Sequence, residues 1–180
     1  MKRVFVTLLI FFSAVIAGHL AAINLIPALI MSKAMQKMEA RGIGLHDFTL
    51  APQTTPQTQS VVRPSPDLAY SICRYDFSKL DGALEINSSN WSDYWSISFF
   101  DANTNNFKRF SYPEENPPST SILLVRDGTG QGAIENERPV VVSPSDKGLI
   151  LMRRLAPSVE AYQQVKKLSM GDKCGPFQRQ

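Results

Sequence analysis

Histidine and cysteine are nearly missing from this chain, with two of each in 180 residues. His19 lies in an apolar run, so His46 is the one imidazole left to act as a base, and most Ser–His and Cys–His nucleophile schemes lose their base. No Gly-x-Ser-x-Gly elbow, HExxH helix or phosphate loop occurs, which removes the common sequence signals for those hydrolase and nucleotide sites. The two cysteines form no CxxC and have no Cys/His neighbours at ligand spacing, so neither a zinc site nor a thioredoxin-like site is supported. From these absences we expect no resident metal and no cofactor. Internal repeats are also lacking. Beyond Lys2 and Arg3 the charges nearly cancel, 17 bases against 16 acids, and such a balance argues against nucleic acid as a partner.

The scarcity that says most is local: from Val4 to Met31 there is no ionised side chain, and only Thr7, Ser13, His19 and Asn24 are clearly polar. As a helix this run is about 40 Å long, against roughly 30 Å of bilayer hydrocarbon, so it can span with some tilt. A cleaved signal is the rival reading, because Lys2-Arg3, Val4 to Ile16 and Val15-Ile16-Ala17 offer the charged start, apolar core and small residues it needs. Apolar character continues through Leu20–Ile26 and Ala28–Met31, past the point where a processed chain turns polar. Residues 1–31 are therefore expected to be an uncleaved anchor in the bilayer. Ala14, Gly18 and Ala22 recur every four residues, a spacing that lets membrane helices approach closely. Lys2 and Arg3 on one side balance Lys33, Lys37 and Arg41 on the other, so charge does not set the orientation. An even pair of cysteines, Cys73 and Cys174, suits an oxidising compartment and a disulfide. This is the basis for expecting the domain outside the cytoplasmic membrane.

The 149 residues after Met31 suffice for one domain with its own core. Ser32 to Gly42 reads as a short polar helix continuing or following the span, and residues 32–66 end in a Pro-, Thr- and Gln-rich spacer broken by Pro52, Pro56, Pro64 and Pro66. From residue 67 to 180 short β-branched and aromatic runs alternate with turn residues. Strands are expected at Leu68–Tyr75, Ala83–Ile86, Tyr94–Phe100, Phe107–Tyr112, Ser121–Arg126, Pro139–Val142 and Gly148–Arg153, punctuated by Asp81-Gly82, Asp127-Gly128 and Lys147-Gly148. Seven such strands predict a mainly β domain, a β-sandwich or jelly-roll-like fold. A final helix is expected from Ser158 to Ser169, stopped at Gly171 and packed on the domain edge.

Three stretches carry a family resemblance: Val61 to Asp76 (VVRPSPDLAYSICRYD), Tyr94 to Phe107 (YWSISFFDANTNNF) and Val142 to Gly148 (VSPSDKG). Together they resemble the bacterial domain-of-unknown-function family 1254, in its short membrane-anchored form. Larger relatives carry a second domain after this one. The resemblance therefore implies either a separate partner chain or a self-sufficient module, and it brings no catalytic residues with it.

Charged residues gather around the first strand at Arg63, Asp67, Arg74 and Asp76, where pairing against the spacer is the simplest role. Arg63 or Arg74 could instead clamp a carboxylate or phosphate. Arg153 and Arg154 fall on opposite faces of a strand, so only one can meet a shared anion. Asp101, Asn103 and Asn105 have the spacing that opens a calcium loop, but Asn106 stands where glycine is wanted and Tyr112 where a bidentate glutamate belongs. An Asx-rich turn explains them equally well. Ser71 and Ser145 read as strand and turn residues, and Trp91, Tyr94, Trp95, Phe99 and Phe100 as core and rim before a ligand groove. The ligand-binding candidates are Arg63, Asp67, Arg74, Asp101, Asn103 and Asp146. The chain is read as an envelope-facing binding or assembly module acting with a second membrane or envelope protein; the alternative is a small-molecule-binding or enzymatic domain using these carboxylates and arginines. Convergence of Arg63, Asp67, Asp101 and Asp146 in one pocket would favour the alternative.

Overall fold

The structure is a computed structural model that describes residues 2–55, 64–80, 82–112, 121–127 and 138–178. Helix α1, Lys2–Ala40, runs unbroken for 39 residues, through Pro27 and through the position where the apolar run ends. Thr7 and Asn24 satisfy themselves by donating to the carbonyls of Arg3 and Leu20 one turn back, so neither disturbs an apolar surface. The side chains from Val4 to Ile30 are exposed over most of the surface, and Met31 is the first buried residue. Among the described residues this is the one helix long and apolar enough to cross a membrane. It stops at Gly42, whose φ of +80° is the left-handed conformation that glycine adopts at low cost. Gly42 N donates to Glu39 O and Ile43 N to Met38 O, which closes the last turn.

Nine strands follow among the described residues: β1 (Thr49–Leu50), β2 (Leu68–Asp76), β3 (Leu84–Asn87), β4 (Trp95–Phe100), β5 (Asn106–Tyr112), β6 (Ser121–Arg126), β7 (Val140–Ser143), β8 (Lys147–Leu155) and β9 (Lys173–Pro176). One sheet has the order β1-β2-β8-β4-β5 and the other β7-β6-β3-β9, antiparallel throughout except for the parallel pair β6 and β7. Alternation places Cys73, Tyr75, Ile97, Phe99, Ile150 and Met152 of the first sheet against Leu84, Ile86, Ile122, Leu124 and Val141 of the second in one buried cluster. The expected sandwich is therefore present, between an N-terminal apolar helix and a short C-terminal one. That last helix, α2 (Val159–Leu168), is capped by Ser158 Oγ accepting from Ala161 N, and a 3₁₀ turn, Ser169–Gly171, follows it.

Two strands lie beyond the seven expected. β1 sits inside the proline-rich spacer and is too short to show a period of two, yet it pairs with Ser71 and Ile72 of β2. β9 has the sequence Lys-Cys-Gly-Pro, which reads as a turn, but it pairs with all of β3. Lys147-Gly148 also differs from the expectation: the pair opens β8 instead of forming a turn. A Cβ at Gly148 would collide with the Phe100 carbonyl and the Tyr75 hydroxyl, so glycine is needed there for close approach.

The two sheets are tied at one end by the Cys73–Cys174 disulfide, from β2 to β9, with Cα atoms 6.5 Å apart. Beside the junction of α2 and β9, Arg154 of β8 forms a bidentate pair with Asp172, at 2.7 and 2.8 Å, and both side chains are essentially inaccessible to solvent. Ser89 N donates to Asp172 and Ser89 O accepts from Arg154, so the pair has little unmet hydrogen-bonding capacity.

The cross-link closes a loop of 101 residues, and its removal by Cys73→Ala with Cys174→Ala should lower stability by about 2 to 5 kcal/mol in denaturant titrations. Asp172→Asn leaves the Arg154 charge buried without its counter-ion and should cost about 3 to 5 kcal/mol, whereas Arg154→Met with Asp172→Leu should recover most of that loss.

Candidate functional site

At the far end of β2 the three stretches that carry the resemblance meet in one corner of the sandwich. Tyr75, buried because its strand position faces the core, donates to Phe100 O at 3.1 Å and lies 2.9 Å from Ser143 Oγ. Ser143 Oγ donates to Ser145 O at 2.7 Å. Ser145 Oγ in turn accepts from Ala102 N at 2.9 Å and donates to Lys147 O, which locks the β4–β5 turn onto the β7–β8 turn. Burial pushes the Tyr75 phenol up to about 12, with the two serine hydroxyls opposing it. The phenol therefore stays protonated as a structural hydroxyl near neutral pH.

Three of the carboxylates around this corner, Asp101, Asp76 and Asp146, are already engaged. Asp101 accepts from Asn103 N and Asn105 N through one oxygen and from Asn105 Nδ2 through the other, at 2.8 to 2.9 Å. This is the Asx turn, and it holds Thr104 at a φ of +67°. Asp76 accepts from Ser78 N and Oγ and lies 3.4 Å from Lys147 Nζ. Burial pushes its carboxyl up, but the Ser78 hydrogen bonds and Lys147 outweigh that and hold it below its usual range. Asp146 pairs with Arg126 Nε at 2.6 Å. Between them opens a recess of 290 Å³, lined by Arg126, Asp127, Ser143, Pro144, Ser145 and Asp146.

The remaining candidates lie elsewhere. Asn103 is exposed on the hairpin. Arg74 points to the outer face of its sheet, where Nε donates to Ile43 O at 2.9 Å and an amino group lies 3.3 Å from the Glu39 carboxylate, so it clamps the end of α1 to the sandwich. Asp67 is exposed at the opposite end of β2, its carbonyl accepting from Ala156 N. Arg63 lies outside the described residues. Among the described residues no group of three or more His, Cys, Asp or Glu side chains could hold a metal ion. Of the aromatics, Trp95 and Phe99 are core, and Trp91 packs between the main and the satellite cluster while its Nε1 donates to Leu155 O.

Sequence reasoning passed over two features. Arg154 shares a strand face with Ile150 and Met152, and a guanidinium on a core face needs a buried acid; Asp172, 18 residues away, was not legible as that acid. The larger recess, 710 Å³, is a groove far from this corner, between the β1 segment and α2. It depends on β1 being folded onto the sheet, which the spacer's composition hid.

His46 joins the corner to the anchor. It holds a φ of +55°, donates its N–H to Arg74 O, and through Nε2 accepts from Asp76 N at 3.1 Å. Burial lowers its pKa below 6.5; the Asp76 backbone contact and carboxylate oppose this, and Lys79 adds to it.

A family profile described as "Protein of unknown function (DUF1254)" matches residues 46–176, beginning at this histidine and ending in β9. A comparison with curated proteins finds no match. A crystal structure of a Vibrio parahaemolyticus protein superimposes with a TM-score of 0.59 at 13% identity, over 86% of this chain and 39% of that one. A protein from Burkholderia cenocepacia, described as uncharacterised, gives a TM-score of 0.43 at 14% identity, over 64% of this chain and 32% of that one. The chain thus spans well under half the length of either. At such identity the Vibrio likeness shows the fold alone.

An imidazole that accepts through Nε2 must be neutral, so protonation of His46 breaks the bond to Asp76 N. A lowered folded pKa means the stabilisation is complete above the unfolded value of about 6.5 and is lost as pH falls through the folded value. Wild type should therefore lose stability as pH falls below about 6.5, and His46→Gln should flatten that part of the profile in pH-dependent thermal melts.

Proposed function

This chain belongs to the DUF1254 family, and from that premise we propose that it is a single-pass membrane protein whose β-sandwich works as a binding or assembly module outside the cytoplasmic membrane. The observation that carries the reading is the contrast along α1. Its side chains from Val4 to Ile30 are exposed, while Met31 is buried and the helix end is clamped by Arg74 through Glu39 and Ile43. A helix held this way presents its whole apolar length to the bilayer and transmits the position of the span to the sheet. The Cys73–Cys174 disulfide supports a periplasmic placement, since such bonds persist in oxidising compartments.

The partner in this proposal is a separate membrane or envelope chain. The engaged state of Asp76, Asp101 and Asp146 also supports a non-catalytic role, because a general acid or base needs a carboxylate free to reach substrate. The alternative, a ligand site using Arg63, Asp67, Arg74, Asp101, Asn103 and Asp146, draws its support from the recess beside Asp146 and Arg126.

A periplasm-dependent reporter fused after Gln180 should be active, and the mature protein should keep Met1 to Met31 by intact-mass measurement; a mature terminus near Gly18 would contradict the anchor. Crosslinking in native membranes followed by purification should capture one recurrent envelope protein. Gly18→Leu should weaken that capture if the Ala14, Gly18 and Ala22 face makes the contact, and Asp101→Asn should leave it intact. Turnover of a metabolite abolished by Asp101→Asn or Asp146→Asn in a folded protein would establish the alternative.

A further inference from the structure

The groove beside α2 has a composition that the assembly reading does not use. Phe48, Leu50 and Pro52 of the β1 segment form one wall, Tyr162 and Met170 line the other, and Ser71 of β2 is at the floor. Tyr162, Lys166 and Met170 follow one another at four-residue intervals and so share a side of the helix and its 3₁₀ extension. Tyr162 Oη donates to Ala51 O at 2.7 Å, which fixes the two walls relative to each other. Among the described residues Lys166 is the one ionisable group in the lining apart from the tyrosine phenol, and no carboxylate lines the groove. Among the described residues no ion pair engages Lys166. Met170 stands 79% exposed, an adaptable apolar side chain at the rim.

We propose that this groove binds a monocarboxylate with an apolar tail, a fatty-acid-like amphiphile, with the Lys166 ammonium taking the carboxylate and the tail lying along Phe48, Leu50 and Met170. A volume of 710 Å³ falls within the roughly 300 to 1,000 Å³ usual for small-molecule sites. The single ammonium matches a monoanion, since a phosphate dianion is better served by the bidentate fork of an arginine, and among the described residues no arginine lines the groove. The amide side chain of Gln163 is also in the lining and can donate to the second carboxylate oxygen. The proposal is independent of the partner chain, because it concerns a recess that this chain forms by itself.

The test uses the full chain in lipid nanodiscs and octanoate, measured by equilibrium dialysis against empty nanodiscs. Octanoate should bind saturably with about one site per chain, Lys166→Gln should weaken binding roughly tenfold or more, and Lys166→Arg should retain most of it, as expected for a charge-assisted contact. Octan-1-ol, which has the tail without the charge, should show no saturable increment over the bilayer. Circular dichroism and an intact disulfide establish that each variant is folded. The proposal is overturned by any of three results: no saturable increment for octanoate, equal binding by Lys166→Gln and wild type, or octanol binding as tightly as octanoate.

Discussion

A guanidinium buried between two sheets is tolerable only if its charge and its donors are met, and Arg154 imposes that condition on this fold. Asp172 meets it with two hydrogen bonds, and Ser89 supplies the rest. Asp172 follows the 3₁₀ turn after α2, so satisfying the arginine fixes where α2 must end. β9 starts at the next residue. Its pairing with β3 then brings Cys174 opposite Ile86, within reach of Cys73 on the other sheet. One electrostatic requirement on β8 thereby sets the helix, the last strand and the cross-link. The tight packing there extends to Gly171, where a Cβ would come within 2.9 Å of Ser89 Oγ.

β2 is the strand through which the rest of the domain communicates. Its inward residues, Cys73 and Tyr75, make the cross-link and the hydroxyl network at the corner. Its outward Arg74 holds the end of α1, and His46 docks the following segment onto Asp76 N. Alternation along one strand thus separates two tasks, with covalent and core contacts on one face and the contact with α1 on the other. The outer face of this sheet is itself well covered: Ser96, Ser98 and Ser111 point away from the core yet are almost inaccessible, with Tyr94 donating to Ser96 and Arg153 to Ser98.

The resemblance stretches are structural in their chemistry. Tyr75, Asp101, Ser143, Ser145 and Gly148 close a corner in which the side-chain oxygens are spent on the protein's own backbone N–H and C=O groups and on one another. A site of this kind stabilises a scaffold. The recesses lie beside it, next to the Asp146–Arg126 pair, and away from it, along α2.

Composition and periodicity alone established the membrane-length helix, the strand-rich domain, the final helix and the pairing of the only two cysteines, because each rests on local pattern or on a count that allows one outcome. The Asx turn at Asp101 was legible for the same reason, since its partners lie within four residues. Tertiary structure decided the rest. Two-residue β1 and the Lys-Cys-Gly-Pro strand β9 have no period to detect and exist because a neighbouring edge needs hydrogen-bond partners. Asp172 becomes the mate of Arg154, and Gly148 yields to the Tyr75 phenol, only when segments distant in sequence are brought together. Of the candidates, Asp101 and Asp146 come to one corner while Asp67 lies at the other end of β2 and Arg74 on the outer face of its sheet, a placement set by strand order, which single-sequence patterns do not encode.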